Sequence, residues 1–166
     1  MTTDETLDAL LPAFRSYYNI NTDNVEEPFV AEAAFESHNE QYYLVKAAKV
    51  ADINMNEYVY FAVCNRLGND DLIHFDQVAW ERGLKKVKPG YDHRSTDVTL
   101  IIIADGIDDE AKKLIKKTRH YKSYKWGFNG WSNYRLVAIE CSQGKAFYNH
   151  QGRNLKKLVG NILKDL

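Results

Sequence analysis

No apolar run in this sequence approaches the ~20 residues that a helix needs to cross a bilayer; a long one, Thr99-Leu100-Ile101-Ile102-Ile103-Ala104, stops far short. The amino terminus is acidic where a secretory signal would be basic, so secretion is not expected. Proline occurs three times and glycine nine times in 166 residues, too seldom for a collagen-like, low-complexity or disordered chain. Cysteine is scarcer still. Cys64 and Cys141 each sit in an apolar, strand-like stretch and read as small buried hydrophobes in a reducing compartment, which points to a cytoplasmic protein.

Several chemical signatures are missing as well. Neither G-x-G-x-x-G nor G-x-x-x-x-G-K-[ST] is present, and Gly127 and Gly130 lie in an aromatic loop, so the common phosphate-cradling devices are excluded. The histidines, His38, His74, His93, His120 and His150, are scattered, with no H-x-x-x-H and no paired cysteines; no metal site and no cofactor are expected. Serine is sparse and G-x-S-x-G is absent, which removes support for covalent hydrolase chemistry.

What the chain does have is enough apolar material, 45% of residues against 27% charged, to form one globular domain over residues 1–166. Its net charge of −1 conceals a segregation: residues 1–40 carry −8, residues 41–110 carry −4 and residues 111–166 carry +11. The basic last third either faces the acidic first third within the fold or offers a positive surface to an anionic partner.

Periodicity supplies the elements. Leu7, Leu10, Leu11 and Phe14 share a helical face, Thr2 and Glu5 have capping-box spacing, and Pro12 is expected to kink or split that helix. Phe29 to Glu36 alternates as a strand, Tyr42 to Lys49 reads as its hairpin partner, and Tyr58 to Val63 follows as a third strand. Leu72, Phe75, Val78 and Ala79 are spaced for a helix that stops before Lys88-Pro89-Gly90. Val98 to Ala104 reads as a strand covered on both faces and central in its sheet. Asp108, Asp109 and Glu110 open another helix, Tyr134 to Cys141 and Ala146 to Tyr148 form a hairpin, and the stripe Leu155, Leu158, Val159, Ile162, Leu163 and Leu166 closes the chain with an amphipathic helix. The expected fold class is α/β: a mixed sheet of about six strands, with an antiparallel three-strand meander and helices packed on it.

The most distinctive stretch runs from Lys112 to Tyr134. Seven bases are interleaved with, and followed by, Tyr121, Tyr124, Trp126, Phe128, Trp131 and Tyr134. Cations neutralise phosphates while flat rings stack bases at ~1–3 kcal/mol each, the combination that single-stranded nucleic acid requires. Lys116, Arg119, Lys122 and Lys125 would supply charge, and Tyr121, Tyr124, Trp126 and Trp131 stacking. The competing reading makes the lysines a solvated helix face and the rings core plugs.

A second constellation gathers around the first hairpin, where Glu32, Glu36 and Lys46, with Glu40 or Glu57 as a further acid, could hold a divalent ion and orient a water for phosphodiester hydrolysis. Cross-strand Glu to Lys pairing explains the same residues without function. The order helix, three strands, helix, strand over residues 3–104 resembles the core of the PD-(D/E)XK nuclease-like superfamily. In that resemblance Glu36 matches the first acid and Leu44-Val45-Lys46 the second element, with leucine where the metal-binding acid belongs. The sole E-x-K, Glu110-Ala111-Lys112, falls at a helix start. Phe35 to Lys46 and Trp126 to Trp131 also resemble stretches of uncharacterised bacterial proteins of similar length.

Three functional classes follow. The first is a non-enzymatic α/β domain that binds nucleic acid, or another polyanion such as an acidic protein surface, through the basic aromatic segment. The second is a metal-dependent phosphodiesterase using Glu32, Glu36 and Lys46. The third is a protein-interaction module or homodimer with an aromatic seam.

Overall fold

A computed structural model describes residues 1–37 and 54–166. Helix α1, Thr3–Phe14, starts on the expected capping box: the Glu5 N–H donates to Thr2 Oγ1 at 3.1 Å and the Thr2 N–H donates to Glu5 Oε2 at 2.7 Å. Pro12, expected to kink or split this helix, does not split it. Helix α1 runs through it and ends two residues later, and the carbonyl that Pro12 leaves without a donor belongs to exposed Asp8, where water can serve it.

Strands β1 (Asn19–Asn21), β2 (Ala31–Glu36) and β3 (Asn54–Leu67) are antiparallel neighbours and form the meander. The expected hairpin strand Tyr42 to Lys49 lies outside the described residues, and both edges of β2 are taken by β1 and β3. Helix α2 (Asn69–Lys85) then carries the chain to β4 (His93–Ile107), which pairs in parallel with β3. Helix α3 (Asp109–Lys117), β5 (Tyr121–Ser123), β6 (Trp131–Glu140), β7 (Lys145–Tyr148) and helix α4 (Lys156–Asp165) complete the order. Strand β6 is parallel to β4, giving the spatial order β1-β2-β3-β4-β6-β5, and β7 shares the outer edge of β6 with β5. Among the described residues the sheet has seven strands; β1 and β5, three residues each, are too short to leave a period-2 pattern.

The Val98 to Ala104 run is central, as its unbroken apolar character requires. Its even positions, with Tyr58, Tyr60, Tyr134 and Leu136, pack under α2 and α3, and its odd positions, with Val59, Phe61, Val137 and Ile139, pack under α1 and α4. The approach of α2 is close: a Cβ on Gly83 would lie 2.4 Å from a Val98 methyl. Between β5 and β7 no strand among the described residues pairs with the outer edge of β6, and one side chain takes up its hydrogen bonds. The Leu136 N–H donates to Asn149 Oδ1 at 2.9 Å, while Asn149 Nδ2 donates to the carbonyls of Tyr134 at 3.2 Å and Thr118 at 3.1 Å. No helix among the described residues is long and apolar enough to cross a membrane.

Candidate functional site

The basic aromatic stretch folds as the end of α3, the short strand β5, a tight loop over residues 124–130 and the start of β6. Its base is anchored. The His93 Nδ1–H donates to the Asn129 carbonyl at 2.6 Å, Tyr124 shares a 3.0 Å hydrogen bond with Ser132 and lies edge-on to His93, and the Tyr124 N–H donates to the Gly130 carbonyl at 3.0 Å. Gly130 is the pivot: its φ is +78°, and a Cβ there would sit 2.2 Å from the Arg94 carbonyl oxygen, so only glycine lets the loop lie this close to β4.

The tip is strained instead of anchored. Lys125 and Trp126 both adopt left-handed backbone, with φ of 45° and 53°, ahead of Gly127 at 91°. Such geometry costs a non-glycine residue roughly 1–2 kcal/mol. No packing repays it, because Trp126 is 95% exposed, with Phe128 at 81% and Tyr121 at 65%. The four rings selected from sequence therefore divide by role. Tyr121 and Trp126 point outward, whereas Tyr124 and Trp131 are half-buried, the first holding the loop and the second lying under the Arg94 guanidinium at 6.0 Å.

Two further large apolar groups stand at this end of the sheet: Tyr91, 95% exposed just before β4, and Met55 at the start of β3. Sequence reasoning missed Tyr91. The only signal was a ring set among turn residues, Pro89-Gly90-Tyr91-Asp92, with no apolar neighbour for a core to use.

The cations divide in the same way. Lys112 Nζ lies 3.0 Å from the buried Glu140 carboxylate, and Lys113 lies 3.0 Å from Glu110. Lys116, Arg119, Lys122 and Lys125 are exposed and make no ion pair among the described residues; Lys122 lies 5.4 Å over the Tyr124 ring. Among the described residues no ion pair joins an acid of residues 1–40 to a base of residues 111–166. Glu26 and Glu32 instead meet Arg82 of α2.

The acidic constellation is separated by the sheet. Glu32, 3.5 Å from Arg82, and Glu36, which accepts a 3.4 Å bond from the Tyr58 hydroxyl, face α2; burial and then the Glu36 charge push the Tyr58 hydroxyl up to about 12. Lys46 and Glu40 lie outside the described residues. Glu57 stands on the opposite face. There Arg135 bridges Asp97 at 2.6 Å and Glu57 at 3.5 Å, Asn133 donates to Asp97 at 3.0 Å, and the Tyr18 hydroxyl donates to Glu57. Burial first, and the Glu57 carboxylate second, hold the Tyr18 hydroxyl well above its ordinary value. A guanidinium thus occupies the position between two carboxylates, and among the described residues no group of three or more histidine, cysteine or acidic side chains could hold a metal ion. Half-buried Cys64 has its thiol pushed up to about 11 by burial and then by Asp71, which keeps it protonated near neutrality.

The chain belongs to the domain of unknown function DUF8052, whose family model matches residues 2–161. No curated protein and no solved structure matches the chain significantly.

Proposed function

We propose that this DUF8052 domain binds single-stranded nucleic acid at the β5–β6 hairpin, without catalysing a reaction on it. One observation carries the reading: Trp126 is held 95% exposed on a strained left-handed turn, with Phe128 and Tyr121 exposed beside it. A ring placed outside at a conformational cost has no role in the core, and outlying geometry of this kind marks surfaces that meet a ligand. Lys122, Lys125, Arg119 and Lys116 accompany the rings and lack internal ion-pair partners among the described residues. Exposed bases beside stacking planes fit a flexible polyanion whose bases are free to unstack.

The test is titration of a labelled oligothymidylate and an oligoadenylate into the protein at low salt, followed by fluorescence anisotropy. Saturable binding that weakens steeply with salt, and weakens further in Trp126→Ala, supports the reading. No saturable binding at low salt, or unchanged affinity in Trp126→Ala, overturns it. A concentration-dependent dimer that Trp126→Ala abolishes, seen by sedimentation without nucleic acid, assigns the rings to a protein seam instead.

A further inference from the structure

Beside the hairpin, at the stretch of the outer edge of β6 that no strand among the described residues covers, lies a cleft of about 130 Å³. That is well below the roughly 300–1,000 Å³ of sites for drug-sized ligands. It suits a small polar group better than a nucleoside. Arg119, His120, Tyr121, His150 and Gln151 line it. Among the described residues no carboxylate does.

The nearest acid stands behind the lining. Asp76 of α2 lies 2.8 Å and 3.0 Å from His120 Nε2, so the Nε2–H is committed to Asp76 and Nδ1 is the nitrogen left over. The ring is clamped by a parallel stack on Trp80 at 5.2 Å and an edge contact with Tyr134 at 4.8 Å. This histidine is therefore held in one orientation at the cleft. Arg119, His150 and Gln151 are exposed and make no side-chain hydrogen bond or ion pair among the described residues.

The cleft floor is prepared for an anion in a second respect. Main-chain carbonyls would repel negative charge, but Asn149, 1% exposed, covers those of Tyr134 and Thr118 with its amide protons. What remains in the lining is Arg119, His150 and Gln151, side chains able to donate, beside the fixed ring of His120. Arginine beside an oriented histidine matches the oxygens of a phosphate, which accept from several directions.

We infer that this cleft is a phosphate-binding site, held by Arg119, His120, His150 and Gln151 and positioned by Asp76. The inference goes beyond strand binding at the hairpin and shares only Arg119 and Tyr121 with it. The phosphate is free or esterified, as inorganic phosphate, a nucleoside monophosphate or the terminal phosphate of a strand.

The deciding measurement is a titration of inorganic phosphate into the full chain at low salt, followed by the histidine ring C–H resonances. Phosphate moves the His120 and His150 signals saturably, and Arg119→Gln and His150→Gln each raise Kd at least tenfold while Lys157→Gln on α4 leaves it unchanged. Signals that stay still or drift linearly, or variants that bind as the parent does, overturn the site. Asp76→Asn adds a readout that separates positioning from folding: the variant keeps the parent's thermal unfolding midpoint within a few degrees but loses the His120 shift. Replacing phosphate by a nucleoside 5′-monophosphate, and then by oligonucleotides with and without a 5′-phosphate, identifies the source. Trp126→Ala leaves the inorganic phosphate titration untouched, so failure of strand binding and failure of this site show up separately.

Discussion

Lys112 and Lys125 belong to one basic stretch, and Tyr134 and Trp126 to one hairpin region, yet the fold treats the members of each pair in opposite ways. Lys112 reaches a carboxylate that is itself buried, whereas Lys125 extends from a left-handed turn with no ion-pair partner among the described residues. Tyr134 is 1% exposed beneath α2 and α3, whereas Trp126 is 95% exposed. Residue type does not distinguish them. What differs is whether the side chain starts from α3 or β6, which pack against each other, or from a loop beyond the reach of any layer. Charge and aromatic area that contribute to stability in the first place have no such use in the second, and the proposed strand binding rests on that surplus.

The sharpest way to break the contrast is on stability. Lys112→Met strands the buried Glu140 charge and is expected to cost about 3–5 kcal/mol in urea unfolding, whereas Lys125→Met should stay within about 0.5 kcal/mol of the parent. Equal losses in the two variants would show that Lys125 has a structural role after all. A comparable gap is expected for the rings. Tyr134→Ala should lose about 3–5 kcal/mol by opening a cavity in the core, and Trp126→Ala should leave the unfolding midpoint nearly where it was.

In oligonucleotide affinity the ranking inverts for the same ring: Trp126→Ala is expected to lose about 1–3 kcal/mol of binding, read as a rise in Kd of about 5- to 150-fold. A smaller effect should appear in the salt dependence. The double variant Lys122→Gln/Lys125→Gln should flatten the slope of log K against log salt by about 0.7 for each phosphate contact removed, and an unchanged slope would take these two lysines out of the interface.

The buried side of the contrast also has a pH signature. The Tyr58 hydroxyl is pushed up to about 12 by burial and by Glu36, while in the unfolded chain it ionises near its ordinary value of 10. Between those values the unfolded state has released a proton that the folded state keeps, so stability is complete below about pH 10 and declines as pH rises toward 12. Tyr58→Phe should reduce that decline by an amount on the order of 1 kcal/mol. The same alkaline slope in parent and variant would mean that Tyr58 does not govern it.

Much of the fold was legible before any coordinates. The capping box at Thr2 and Glu5, the unbroken run at Val98 to Ala104 and the stripe from Leu155 to Leu163 each report their own element through neighbours a few positions away. Whether Pro12 splits the helix was not legible, because its effect depends on how much helix follows it. The three-residue strands β1 and β5 escaped because they exist only through partners such as Ala33 and Ser132. Of the candidate site, the composition was legible and its division was not. Tyr91 joins the hairpin's end of the sheet from 30 positions earlier than Tyr121, and Arg135 meets Glu57 across 78 positions.

Chain order alone was enough to specify the helices, the central strand and the concentration of lysine, arginine and rings after residue 111, since each of these is a matter of local pattern and composition. Which lysines find carboxylates, which rings go inside, and that Asp76 should fix His120 beside Asn149 at one cleft were decided when the fold brought distant segments together. Side-chain pairing energies fall off within a few ångströms, and only the folded sheet sets those distances.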